Sequence, residues 1–326
     1  MPNGYILALG EVFFMPAVFT VFILLVFLYF FVTWAMFQLL CRRFRGRFSP
    51  LALIGKATNE ALAPYAAQIR AGTEWIRRFP IRPVEISSFD GLTLRGALFE
   101  NPDARGVLIG CHGYRSGGFR DFSSACPFYY GLGFSLLLID QRATGASDGR
   151  YITFGVKERL DIQDWCAYIQ KHFPGKPVLL AGISMGATAA LMAAPELPEN
   201  VAGIVADCGF VSPWEELGHV LRHFLHLPAA PFLAGIDFWC RLLAGFSLRQ
   251  YTTELALADN TRPVFFIHGE ADDFVPPENV RRNAAACAAP YVLFTVPAAG
   301  HGLSYLVNHG GYKARLAEFL ALIWPE

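Results

Sequence analysis

Residues 178–194 read VLLAGISMGATAALMAA. The first six are apolar on both faces, as in a strand buried inside a parallel sheet, and the closing ATAALMAA reads as helix. Between them stands Gly182-Ile183-Ser184-Met185-Gly186. A strand that turns at once into a helix crowds its own backbone, and glycines two before and two after Ser184 let the chain pass itself closely. The turn lifts Ser184 clear of the sheet, at the N-terminus of the next helix. There the helix dipole and free backbone N–H groups favour developing negative charge. Ser184 is therefore the candidate nucleophile.

Working outward, short apolar runs alternate with helical stretches. The runs are 107–110, 135–140, 178–183, 202–207, 264–269 and 291–296, each bounded by Gly or Pro or a helical stretch. Helical spacing marks 156–172 and 187–194. This alternation predicts an α/β domain with one mostly parallel, twisted sheet flanked by helices. Ahead of it, 84–88 and 92–99 flank Asp90-Gly91, which predicts a β-hairpin. One stretch, 211–253, has no strand pattern and is rich in aromatics, His and Pro. It falls between two strands and reads as a helical cap. His219, His223 and His226 lie at i, i+4 and i+7 within it, but lack carboxylate or cysteine partners, so they read as packing rather than as a metal face.

A serine hydroxyl needs a base, and the base needs an orienting carboxylate. Downstream of Ser184, one strand runs into His268-Gly269-Glu270-Ala271-Asp272-Asp273 and the next into Ala299-Gly300-His301-Gly302. Both follow strand ends, the edge where ligands bind in open α/β sheets. His301 is the candidate base. Asp272 is the first choice for the acid, with Asp273 and then Asp207 behind it. The backbone N–H groups of Met185 and Tyr114, the latter in the loop Cys111-His112-Gly113-Tyr114, are the candidate oxyanion donors. His112 reads as structural.

The N-terminal region follows different rules. From Val12 to Leu40 there is no charged residue, and the strongly polar side chains are Thr20, Thr33 and Gln38. About 20 apolar residues cross a bilayer core, so Phe13–Leu40 predicts a transmembrane anchor. Its length and the lack of Lys or Arg before it argue against a cleaved signal peptide. Arg42, Arg43, Arg45 and Arg47 follow the run and predict a cytoplasmic catalytic domain, with contact to anionic lipid available to them. Residues 65–78 carry apolar positions at helical spacing and predict a helix in a connector over 42–82. The parts are thus an anchor (1–41), a juxtamembrane connector (42–82) and a catalytic domain (83–326). Net charge is zero, with no basic block beyond those arginines, and nothing suggests nucleic acid. The seven cysteines include no C-x-x-C pair and read as reduced. No cofactor and no metal are implied.

From about Pro83 onward the chain resembles the α/β-hydrolase family, in its esterase and lipase-like branch. The residues that carry the likeness are CHGY (111–114), DQRATGASDG (140–149), GISMG (182–186), HGEADDFVP (268–276) and AGHG (299–302). The resemblance assigns the acid to Asp272, and implies that Asp140 and Arg142 tie down their loop. Ala143 stands where many relatives carry glycine. The implied activity is hydrolysis of a carboxylic ester or thioester, and the aromatic cap and the anchor favour an apolar or lipid-like acyl group. Two other readings stand beside it: a peptidase of the prolyl-peptidase kind, and a non-catalytic binding protein on the same fold.

Overall fold

The computed structural model describes residues 3–44 and 61–324, with side chains from Val18 onward. Residues 45–60 of the predicted connector, Arg45 and Arg47 among them, lie outside the described residues. Eight strands form one sheet in the order β1-β2-β4-β3-β5-β6-β7-β8. They are β1 (Arg82–Ser87), β2 (Thr93–Phe99), β3 (Gly106–Cys111), β4 (Phe134–Asp140), β5 (Val178–Ile183), β6 (Val201–Asp207), β7 (Val264–Gly269) and β8 (Tyr291–Val296). The hairpin β1–β2 is antiparallel, and β2 meets β4 antiparallel. From β4 to β8 every neighbouring pair is parallel. The turn at Asp90-Gly91 works because Gly91 takes φ +84°.

The inner parallel strands β3, β4 and β7 are buried on both faces, so their sequences are largely apolar rather than alternating, whereas the edge strand β8 is half-exposed. Each face has its own apolar cluster. One gathers Ile109, Ile139, Trp165, Leu180 and Phe266, and the other Leu108, Tyr129, Leu179, Phe265 and Phe319. Fully burying one such large side chain contributes roughly 1.5–3 kcal/mol. All parallel strands end at the same edge, so the loops after β3, β5, β6, β7 and β8 converge there.

The helices that matter for the site are α1 (Asn3–Cys41), α2 (Ala66–Ile76), α3 (Glu158–His172), α4 (Met185–Ala193), α5 (Pro213–His223) and α6 (Ala229–Trp239). Helices α5 and α6 and the π-helical turn Cys240–Ala244 lie between β6 and β7 and form the cap. The connector helix predicted over 65–78 is α2, which packs on the domain: a Cβ at Gly72 would stand 2.1 Å from the Ser123 carbonyl oxygen, and Trp75 packs on Tyr130.

Helix α1 begins well before the apolar run. Its 39 residues at about 1.5 Å each make it about 58 Å long, roughly twice a bilayer's hydrocarbon core. The segment Val18–Cys41 is apolar and long enough to cross a membrane. Its two ends differ. Large side chains from Val18 to Leu28 are mostly exposed, whereas Thr33, Phe37, Leu40 and Cys41 are buried. From Tyr29 onward the helix lies against the cap. The Tyr29 hydroxyl donates to the Pro231 carbonyl at 2.8 Å, and the Trp239 indole donates to Phe30 O and Thr33 Oγ1, each at 3.2 Å. Helices α1 and α6 approach so closely at Gly235 that a Cβ there would stand 2.4 Å from Thr33 Cγ2. The chain then joins the domain directly. Arg42 bridges Tyr151, Ile152 N–H donates to Cys41 O at 2.7 Å, and the Arg43 guanidinium donates to the carbonyls of Ser147 and Gly145. Arg43, read from the sequence as available to lipid, is engaged by the protein. Helix α1 ends at Cys41, and contacts to the domain continue on both sides of that point.

Candidate active site

Ser184 sits at the turn from β5 into α4 with φ +55° and ψ −119°, a strained combination for a residue with a side chain. The surroundings explain its glycines. A Cβ at Gly182 would stand 2.4 Å from Gly186 O, and one at Gly186 would stand 2.1 Å from Cys111 O. The turn is pinned by Ser184 N–H donating to Asp207 O at 2.8 Å, and Ser184 is 6% exposed.

Three loops bring the predicted residues together. His301 Nε2 lies 2.9 Å from Ser184 Oγ, and His301 Nδ1 lies 2.8 Å from Asp272 Oδ2. The other Asp272 oxygen accepts N–H groups from Phe274 at 3.0 Å and Val275 at 2.9 Å. Burial works against the charge on Asp272, but hydrogen bonds from His268 and His301 outweigh it and hold the carboxyl well below the usual range. An ionised carboxylate only accepts, so His301 Nδ1 carries the proton and Nε2 is free to accept from the serine hydroxyl. Burial lowers the His301 pKa, but the hydrogen bond to Asp272 and the nearby charges of Asp272, Asp207 and Asp121 raise it above 6.5 overall.

The other acid candidates lie elsewhere. Asp273 is exposed, and its carbonyl accepts from His219 Nε2 at 2.8 Å. Asp207 is buried beneath the site and accepts from Ser304 Oγ at 3.1 Å; burial pushes its pKa up to about 6. His219 stacks on His223 with ring centroids 5.1 Å apart. Cys111 and Cys208 are buried and unpaired. Cys208 lies with Asp272 and His301 in a cluster whose ligand atoms are within 4.8 Å of one another. Burial pushes the thiol well up, which keeps it protonated and a poor metal ligand.

The loop after β3 passes directly over Ser184: a Cβ at Gly113 would lie 3.5 Å from Ser184 Cβ. His112 is buried, donates from Nδ1 to Gly113 O at 2.7 Å and accepts the Gln141 N–H at Nε2 at 3.2 Å, so it holds the loop. Asp121 accepts the Gly113 N–H at 2.7 Å and the Ser116 hydroxyl. The stretch 140–149 is tied down as expected. Arg142 is 4% exposed and paired with Asp161 at 2.6 Å and Asp90 at 2.9 Å, and Asp140 accepts the Ala146 N–H at 2.8 Å. Ala143 holds φ +59°, the conformation that makes glycine the easier residue there.

Three contributors have no role in the sequence reading, and Glu216 enters it only as one of the cap's two adjacent acids, Glu215 and Glu216, which bear on the peptidase reading. His268 was quoted in its motif without a role; it is buried, donates from Nε2 to Val275 O at 2.9 Å and lies 3.4 Å from Asp272 Oδ2. Asp121 had no signal beyond being an acid after two glycines. Glu216 of α5 is a buried cap carboxyl near Asp272, and burial pushes its pKa well up. Arg115 had no motif at all.

Comparison with known proteins agrees with this architecture. The family model of the alpha/beta hydrolase fold matches residues 106–232. A protein of Bacillus subtilis strain 168, YqkD, is 27% identical over 237 residues, covering 72% of this chain and 77% of its own. An uncharacterized protein of Mycobacterium tuberculosis strain H37Rv is 30% identical over 224 residues, 68% of this chain and 72% of its own. Among solved structures, the Pyrococcus furiosus esterase Pf2001 superposes with a TM-score of 0.61 at 26% identity, covering 76% of this chain and 92% of that one. A mostly parallel eight-stranded sheet, a serine on the sharp turn after its fifth strand in spatial order and relatives of this likeness lead to one assignment: the chain belongs to the α/β-hydrolase family.

Proposed function

We propose that the chain is a serine hydrolase that cleaves carboxylic esters or thioesters of apolar, lipid-like acyl groups through an acyl-enzyme. The observation that carries this reading is the unbroken line Asp272–His301–Ser184, with contacts of 2.8 and 2.9 Å. Ser184 Oγ attacks the carbonyl carbon while His301 Nε2 takes its proton. Asp272 stays ionised and stabilises the imidazolium. The tetrahedral oxyanion accepts from the N–H groups of Met185 and Tyr114, commonly the largest single catalytic contribution. Collapse expels the alkoxide or thiolate, which leaves with the proton from His301. Water then attacks the acyl group, giving its proton to His301, and the second collapse returns that proton to Ser184 and releases the acid.

An apolar substrate is supported by the material over the site. Met185, Leu217, Leu221, Leu233, Ile236 and Val275 form one cluster beneath the cap, with Phe274 packed on it and ring-to-ring at 5.0 Å from His301. Helix α1 serves in this reading as a single-pass membrane anchor with the catalytic domain in the cytoplasm. Its buried end supports retention: a signal peptidase acting after it would strip Phe37, Leu40 and Cys41 out of the cap cluster.

The test is labelling of the full-length protein with a fluorophosphonate probe, followed by a p-nitrophenyl ester series of increasing acyl length. Labelling that vanishes in Ser184→Ala and drops in His301→Ala, with turnover rising toward longer acyl chains, is the expected result. A folded wild-type protein that neither labels nor turns over any ester overturns the reading.

A further inference from the structure

The loop that carries Tyr114 is held on two sides. The inner side is ordinary, with Asp121 and His112 binding its backbone. The outer side is held by the end of α1. The Tyr114 hydroxyl donates to Leu40 O at 2.6 Å. Arg115 donates from Nε to the Tyr114 hydroxyl at 2.7 Å, and from Nη2 to the carbonyls of Leu39 at 2.8 Å, Arg42 at 3.0 Å and Leu40 at 3.3 Å. The last carbonyls of a helix have no partner within it and form its negative end, so a guanidinium there closes the helix and neutralises it. The same guanidinium lies over the rings of Phe44 and Tyr114, at 4.8 and 5.1 Å. Tyr114 is in turn stacked on Phe154, with centroids 5.4 Å apart.

The backbone shows why these contacts matter. Arg115 has φ +54°, a left-handed conformation that costs a residue with a side chain free energy. Such a conformation persists where its surroundings hold it. At Arg115, most of the polar contacts of that side chain come from a helix more than 70 positions earlier in sequence. The strained residue directly follows Tyr114, so relaxation at 115 would re-aim the peptide that carries the Tyr114 N–H.

We propose that the C-terminal turn of α1 is a working part of the oxyanion hole, and that Arg115, with the Tyr114 hydroxyl, is the positioning residue that couples the two. Hydrolytic competence then requires α1 to be docked, and the helix acts on the chemistry as well as on location. This inference rests on the serine-hydrolase reading and deepens it.

The experiment compares ester kinetics of full-length wild type, Arg115→Ala, Arg115→Lys and Tyr114→Phe in the same detergent. Small displacements of a catalytic group cost up to about 100-fold in rate. Arg115→Ala is expected to lower kcat at least about tenfold with KM within about threefold, because the loss falls on the transition state. Arg115→Lys, which can still reach one α1 carbonyl, recovers part of the rate. Tyr114→Phe keeps the backbone N–H and falls between wild type and Arg115→Ala. Should Arg115→Ala fail to fold, the other two variants carry the test. Wild-type kcat in folded Arg115→Ala and Tyr114→Phe overturns the proposal, even if thermal stability drops, since the contacts would then serve only to attach α1. A wild type that is itself inert toward esters and fluorophosphonate overturns the hydrolase reading instead, and this inference with it.

Discussion

Phe22 and Phe37 stand on the same uncharged stretch of α1, about four turns apart, yet Phe22 is 61% exposed and Phe37 is fully buried. Phe37 packs against Tyr151, with ring centroids 5.0 Å apart, and belongs to the cluster shared with the cap. An apolar side chain must leave water, but its chemistry does not say whether lipid or protein receives it. In α1 exposed and protein-buried side chains occur in one continuous segment, which reads as a uniform span in the sequence. The end that packs on protein is also the end that touches the loop over Ser184, so the difference between the two ends bears on the proposed catalysis as well as on stability.

The sharpest way to break the comparison starts from Ser184 and Asp272 at the sheet edge, neither of which α1 supplies. Ser184→Ala should lower ester turnover by about 10⁴- to 10⁶-fold with the fold intact, and Asp272→Asn by about 10⁴-fold, measured as kcat on a p-nitrophenyl ester. Comparable losses from exposed α1 residues would show that the whole helix, not just its end, serves the site. Next come the packed residues. Phe37→Ala should cost about 3–5 kcal/mol of domain stability in detergent, read by denaturant or thermal unfolding, because it opens a cavity under the cap. Gly235→Val should cost about 1–3 kcal/mol by pushing α6 away from Thr33. Phe22→Ala in the same detergent should change stability by no more than about 0.5 kcal/mol. Equal effects at Phe22 and Phe37 would erase the distinction between the two ends.

The smallest expected effect concerns pH. His301 accepts a proton only when neutral, so kcat/KM should fall as pH drops through its raised pKa, with the acidic limb centred above pH 6.5. Asp207, pushed up to about 6, is mostly ionised over the upper part of that limb and helps to raise it. Asp207→Asn removes that negative charge, which lowers the His301 pKa and moves the limb to lower pH by less than about one unit. A limb that moves upward, or not at all, would show that Asp207 does not act on the base.

Much of the sheet and the Ser184 turn were legible because they obey short-range rules. A fully buried parallel strand leaves a continuous apolar run, and a nucleophile turn leaves glycines at fixed spacing. Every predicted run corresponds to a strand, and Asp90-Gly91 to the hairpin turn. Choosing among Asp272, Asp273 and Asp207 was harder, since adjacent carboxyls look alike until the backbone points one inward. The resemblance favoured Asp272, and the geometry brings that residue to His301.

What the sequence by itself determined is the set of local periodicities and crowding constraints: which segments are strands, where the chain turns at Ser184, and which helix is apolar enough for a membrane. Tertiary structure alone decided what the end of that helix touches. Arg115 and Glu216 carry no spacing signal because their partners lie more than 50 positions away in sequence, and Asp121 and His268 carry none because irregular loops set which near neighbours they meet. Arg115 meets Leu39, Leu40 and Arg42 because the tertiary fold sets the last carbonyls of α1 against the loop beyond β3.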